Sequence, residues 1–186
     1  MPYFYRLPSP DTAKTVLLHL SGARLRLFGA CLLSAVLLAS CSNRTELPQS
    51  VNNLIFKTLT GKEIALRDLN VPVLVNFWST SCVICVHEMP DMAEMYAQYA
   101  PGGFELIAVA MPYDAPNEVV ELAEAQALPF PVALDLQGTA VDAFDSVKGT
   151  PTSFLIDSEG KLVKRYVGAI DLLELRSQLN TLLTTN

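Results

Sequence analysis

The stretch VNFWSTSCVICVHEMP, residues 75–90, decides the fold, because it joins two different periodicities. Upstream, Val71–Trp78 (VPVLVNFW) is a β-branched and aromatic run, as expected of a strand buried on both faces. Downstream, the residues from Cys85 to Tyr99 follow a helical period, with a kink expected at Pro90 and an end at Pro101. A strand that passes through Ser79-Thr80-Ser81 into a helix places Cys82 at the helix N-terminus. Unpaired backbone N–H groups and the positive end of the helix dipole stabilise a thiolate there. Cys82 is therefore the candidate attacking sulfur. Cys85 lies one helical turn further in, faces back, and can resolve a mixed disulfide by intramolecular attack.

Working outward, Asn53–Leu59 and Lys62–Leu66 read as a β-hairpin turning at Thr60-Gly61. Phe104–Met111 is a second buried strand, Asn117–Ala127 an amphipathic helix, Phe130–Asp135 a short strand and Thr139–Val147 a short helix. Ser153–Asp157 and Leu162–Val167 pair across the turn Ser158-Glu159-Gly160. Asp171–Leu183 closes as a helix with Asp171 as its N-cap. Strands alternating with helices, then a hairpin and a helix, predict an α/β domain over residues 51–186. It should have a mixed central sheet, helices on both faces and an N-terminal β-hairpin.

The N-terminal region reads differently. Leu27–Leu38 is uncharged, follows Arg24 and Arg26, and is about a dozen residues long, short of the roughly 20 that a spanning helix needs. Small residues and Cys41 come next, so residues 1–40 read as a secretory signal peptide. Cys41 after Leu38-Ala39-Ser40 resembles the bacterial lipobox, which implies cleavage before Cys41 and a lipid on its sulfur. Residues 41–50 then form a lipidated, flexible tether containing Pro48. Four of the 13 basic residues (Arg6, Lys14, Arg24, Arg26) and one of the 19 acids (Asp11) lie in residues 1–40. The remainder carries 9 basic and 18 acidic residues, a net charge of −9. Such a surface repels phosphate backbones and anionic headgroups, which argues against nucleic-acid binding and leaves membrane attachment to the lipid. With Cys31 in the signal peptide and Cys41 lipidated, only Cys82 and Cys85 remain as thiols. They are too close in sequence to staple a large loop, so a catalytic or metal-binding role is expected.

Residues 75–90, together with Gly149-Thr150-Pro151-Thr152 and SFLIDSEGKLV (153–163), resemble the TlpA/ResA-type thioredoxin-fold proteins of the bacterial cell envelope. The resemblance implies a thioredoxin-like fold and thiol–disulfide oxidoreductase activity, with no cofactor beyond the redox-active Cys82–Cys85 disulfide. It also implies a cis bond before Pro151, with Thr150 offering its backbone to substrate and Trp78 supporting the site. Asn76 stands where thioredoxins proper carry a buried aspartate. Glu88 matches the carboxylate of the ResA-type branch and is the candidate proton acceptor for Cys85. Ser81 replaces the tryptophan of many relatives. The inner dipeptide Val83-Ile84 offers Cys82 neither a positive charge nor an extra hydrogen bond, which predicts a modest thiolate stabilisation and a reductant or a middling potential.

The resemblance implies protein thiols and disulfides as partners, apocytochrome c cysteines among them, and a membrane electron-transfer protein. The chain is expected to be a monomer in the cell envelope, facing the periplasm or the outer side of the membrane. Two alternatives rest on other residues. Cys82, Cys85, His87 and Met89 suit Cu(I) as soft or borderline ligands, as in a copper metallochaperone. Ser79, three residues before Cys82, stands where a peroxiredoxin-like peroxidase expects threonine. Met89, Met92 and Met95 read as a packing stripe, and Phe77 and Phe154 as core.

Overall fold

The computed structural model describes residues 44–184. The expected signal peptide (1–40) and the lipidation site Cys41 lie outside the described residues.

The strand expected from VPVLVNFW forms as β4 (Val73–Trp78), and all six of its residues are buried. It lies inside a six-stranded sheet. On one side it runs parallel to β5 (Glu105–Ala110), which is followed by β6 (Val132–Leu134). On the other it runs antiparallel to β7 (Thr152–Ile156), then β8 (Lys161–Val167) and a two-residue edge strand β1 (Thr45–Glu46). The alternation of side chains along β4 divides the core into two clusters. Leu74 and Trp78 face a cluster built with α2 (Val83–Tyr99), α3 (Pro116–Ala125) and α5 (Leu172–Thr184). Val73, Val75 and Phe77 face another, built with the hairpin β2–β3 (Ile55–Lys57, Glu63–Ala65) and two short helices, α1 (Gln49–Asn52) and α4 (Thr139–Ala143). Helices therefore cover both faces, as the sequence predicts. Phe77, Phe144 and Phe154 fill the second cluster, with ring centroids 4.6–6.0 Å apart.

Helix α2 buries Cys85, Met89, Met92, Met95 and Tyr99, one residue per turn on the face toward β4. Pro90 sits inside this helix without interrupting it. Proline has no N–H, so it cannot bond the carbonyl of Val86 four residues earlier. The side-chain amide of Gln126 reaches that carbonyl instead, at a long 3.5 Å. Asp171 caps α5 as expected, its Oδ1 accepting the N–H groups of Leu173 and Glu174 at 3.0 Å each. Gly61 turns the β2–β3 hairpin at φ 79°, in the left-handed region that glycine enters without penalty.

The expected tether is where sequence and structure differ. Residues 44–50 are part of the domain: Thr45 and Glu46 pair with Leu162 and Lys161, and α1 begins at Gln49. The cause is Asp157, which is only 2% exposed. Its carboxylate accepts the N–H groups of Glu159 (3.0 Å) and Lys161 (2.9 Å), closing the β7–β8 turn, and pairs with Arg44 at 3.0 Å. A polar composition read as tether thus supplies the cation that a buried acid requires.

Asp157→Ala is expected to lower stability by about 2–4 kcal/mol, because two turn amides and the Arg44 guanidinium lose their acceptor together. Arg44→Ala should cost roughly 1 kcal/mol more than a substitution at an unpaired surface arginine. Urea denaturation of both variants measures the difference.

Candidate active site

The site lies at the end of the sheet where β4 and β5, running parallel, both finish. After Trp78 the chain turns through Ser79, Thr80 and Ser81, and the N–H of Cys82 bonds back to the Ser79 carbonyl at 3.1 Å. Cys82 is the N-cap of α2. Its Sγ accepts the Cys85 N–H at 3.2 Å, and its carbonyl accepts the Val86 N–H. The helix starts at Val83, two residues before the start expected from periodicity, because the cysteine itself closes the first turn. Cys82 and Cys85 form a disulfide across a Cα–Cα distance of 5.3 Å. Cys82 is half-buried and Cys85 is 2% exposed, so Cys82 is the more accessible of the two.

Trp78 is fully buried in the same cluster as Cys85, and its Nε1 has no hydrogen-bond partner among the described residues. Asn76, two residues before it, is also buried and donates to Ser153 Oγ at 2.8 Å. A neutral amide–hydroxyl pair thus stands at the position noted for its missing aspartate. The Thr150–Pro151 bond is cis. Phe77 pairs with Thr152 in the β4–β7 register, which brings Pro151 to the level of Trp78. Two bonds fix this turn: Thr152 Oγ1 to the Gly149 carbonyl at 2.7 Å, and the Gly168 N–H to the Pro151 carbonyl at 2.9 Å.

Glu88 follows Cys85 by three residues on α2, a spacing that keeps both on one side of the helix. It is half-buried. Oε1 accepts the Ile170 N–H at 2.7 Å, while Oε2 is buried without a partner among the described residues. Burial raises its pKa above the ordinary carboxylate value. The nearby Asp91 adds to the rise, and the Ile170 bond and His87 oppose it. A carboxylate with one free oxygen and a raised affinity for protons suits a proton acceptor.

One feature was not read from sequence. Asp114, 8% exposed in the loop after β5, accepts the Ser79 hydroxyl at 2.7 Å and the Thr80 N–H at 3.0 Å. The available signal was its place in a loop at the C-terminal end of a parallel strand, where functional groups collect in α/β sheets. Val83 and Ile84 are exposed between the cysteines, and Tyr113, Leu136, Val167 and Leu173 emerge at the same end of the sheet. Of the ligands considered for copper, Met89 is buried in the core with Met92 and Met95 whereas His87 is exposed, so they do not share one environment. The Ser79 hydroxyl considered for peroxidase chemistry is engaged by Asp114 and Ser81.

The model of the AhpC/TSA family matches residues 47–165. The thiol-disulfide oxidoreductase ResA of Bacillus cereus (strain ZK / E33L) is 38% identical over 126 residues, covering 67% of this chain and 72% of that protein. ResA of Bacillus subtilis (strain 168) is 37% identical over 119 residues, covering 63% of this chain and 65% of that one. Among solved structures, a thiol:disulfide interchange protein of the thioredoxin family from Chlorobium tepidum TLS superposes with a TM-score of 0.67 at 25% identity. It covers 77% of this chain and 99% of its own. StoA from Bacillus subtilis superposes with a TM-score of 0.59 at 25% identity, covering 67% of this chain and 91% of its own.

The raised pKa of Glu88 has a stability consequence. A carboxyl group whose folded pKa lies above its unfolded value stabilises the fold below the unfolded pKa, and that contribution is lost as pH rises through the folded value. Glu88→Gln keeps an oxygen for the Ile170 N–H and removes the charge. Its melting temperature at pH 7 is expected to equal or exceed that of the parent, with the difference vanishing below about pH 4. Thermal melts at both pH values check this, and a variant less stable at pH 7 alone would show that the ionised form is net favourable.

Proposed function

The chain belongs to the AhpC/TSA family, among relatives of the ResA type, and from that premise we propose how its residues divide the exchange reaction. The protein is a thiol–disulfide oxidoreductase of thioredoxin-like fold. The observation that carries the assignment of roles is the disulfide at a helix N-terminus between a half-buried Cys82 and a buried Cys85.

In the reduced protein, the Cys82 thiolate attacks a substrate disulfide. A Cys82–substrate S–S bond forms, the substrate S–S bond breaks, and the departing substrate sulfur takes the electron pair. Cys85 gives its proton to Glu88, directly or through water, and attacks the Cys82 sulfur. The Cys82–Cys85 bond forms and the second substrate thiol leaves. Two electrons have moved from the protein to the substrate. Trp78, Thr150 and Pro151 support the site, with Thr150 and Pro151 presenting backbone to an extended substrate segment. The apolar rim of Val83, Ile84 and Val167 favours a polypeptide with apolar residues beside its cysteine.

The direction is reduction, because Val83-Ile84 gives the Cys82 thiolate neither a cation nor an additional donor. The partners are protein disulfides, including those of apocytochrome c, and a membrane electron-transfer protein that returns the pair to dithiol. The domain works in the cell envelope, held to the membrane by lipid on Cys41.

Cys82→Ser is expected to abolish exchange, and Cys85→Ser to accumulate mixed disulfides separable on non-reducing gels. A Cys85→Ser protein that traps no adducts in cells would sink the division of labour. In glutathione buffers the pair should equilibrate near the roughly −270 mV of thioredoxin, and a value near the roughly −120 mV of DsbA would reverse the direction.

A further inference from the structure

Parallel strands β4 and β5 leave the sheet side by side. Their last paired residues are Trp78 and Ala110, and the Met111 N–H bonds to the Trp78 carbonyl at 3.0 Å. The loop after β5 therefore runs beside the turn that leads to Cys82, and Asp114 is its buried polar residue. Both carboxylate oxygens are occupied. Oδ1 accepts the Ser79 hydroxyl at 2.7 Å and the Thr80 hydroxyl at 3.4 Å, and Oδ2 accepts the Thr80 N–H at 3.0 Å. Ser79 Oγ in turn meets Ser81 Oγ at 2.9 Å and accepts the Ser81 N–H at 3.3 Å. The relay thus ends on the residue adjoining Cys82, whose own N–H is held by the Ser79 carbonyl.

We propose that Asp114 is a positioning residue for Cys82: it clamps the 79–81 turn that presents the sulfur, and its negative charge holds the redox pair on the reducing side. The proposal rests on Cys82 being the nucleophile.

Two observations carry it. First, the two Asp114 oxygens hold the Ser79 hydroxyl and the Thr80 N–H together, so one side chain ties two successive residues of the turn to the loop after β5. Second, the charge is not neutralised nearby. Neither Asp114 nor Glu118, whose Oε2 lies 3.4 Å from the Thr80 hydroxyl, is paired with a Lys or Arg among the described residues. Glu88 and His87 lie on α2, and the exposed Lys148 lies in the segment before Gly149. A like charge close to a thiolate disfavours it. Destabilising the thiolate destabilises the reduced form, and that lowers the reduction potential. The helix N-terminus and Asp114 therefore act on Cys82 in opposite senses, and the carboxylate moderates the acidity that the helix confers.

The test uses the full chain in reduced form. The rate of Cys82 alkylation by iodoacetamide is followed against pH, and the dithiol–disulfide equilibrium is read in glutathione buffers. Asp114→Asn is expected to move the alkylation profile to lower pH, with the thiolate fraction near pH 6 rising about threefold, and to make the potential less negative. Ser79→Ala, which breaks the 2.7 Å contact but keeps the charge, is expected to slow exchange about threefold with the alkylation profile unmoved. Asp114→Asn with an unchanged profile and potential would overturn the electrostatic role, whatever its effect on stability. Ser79→Ala at full exchange rate would overturn the clamp, and this variant stands even where Asp114→Asn fails to fold. Cys82→Ser in the same exchange assay separates the two ideas: activity surviving in that variant refutes the nucleophile assignment, not the clamp.

Discussion

One sulfur atom carries two obligations, and the domain is built around reconciling them. Cys82 Sγ is the atom proposed to attack substrate and also the acceptor that caps α2. A helix N-terminus leaves backbone N–H groups unpaired, and serine, threonine, asparagine or aspartate usually serves them. A disulfide sulfur is a weak acceptor, so the cap contributes little in the oxidised state. The helix must then be held by other means, and its buried Cys85–Met89–Met92–Met95–Tyr99 stripe against β4 holds it. Reduction reverses the balance, since a thiolate accepts the same N–H as a charge-assisted bond. The first turn of α2 is thus weakly capped in one redox state and well capped in the other.

How much of this was legible follows from the range over which each signal acts. β4, α2 and the β7–β8 hairpin were readable because burial of one or two faces stamps a local period on the sequence. The CxxC spacing and Thr150-Pro151 were readable for the same reason: their meaning lies within a few residues. Strand β1 and helix α1 were not, since two and four residues are too few to show a period, and Pro48 among polar neighbours reads as linker. What orders them is Asp157, 113 residues from Arg44. Asp114 escaped in the same way, because its partners Ser79 and Thr80 lie 35 and 34 residues back. Pro90 illustrates the reverse case. The local rule predicts a kink, and Gln126, brought in by the tertiary structure, supplies a donor for the carbonyl that the proline leaves open.

An acidic domain has put several of its acids to internal use. Asp135 accepts the N–H groups of Ala140 and Val141 at the start of α4. Asp157 closes the β7–β8 turn, Asp171 caps α5, and Asp114 holds the turn before Cys82. Each acts on backbone amides or hydroxyls fixed by the fold, where a carboxylate contributes more than in an exposed ion pair such as Lys57–Glu63. Glu88 breaks the pattern. One of its oxygens is satisfied and the other is buried without a partner, an arrangement that stability alone would not retain. Groups left incompletely satisfied mark places where proteins give up stability for chemistry.

The pairing of β1 with β8 also fixes where the chain joins the domain. Thr45 and Glu46 meet Leu162 and Lys161 at the start of β8, whereas Val167, at its other end, pairs with Thr152 beside the cis proline. Five residues of strand, about 17 Å, separate the two ends. Any force or attachment acting upstream of Arg44 therefore pulls on the end of the sheet remote from the disulfide. The disulfide thus lies at the end of the sheet remote from β1.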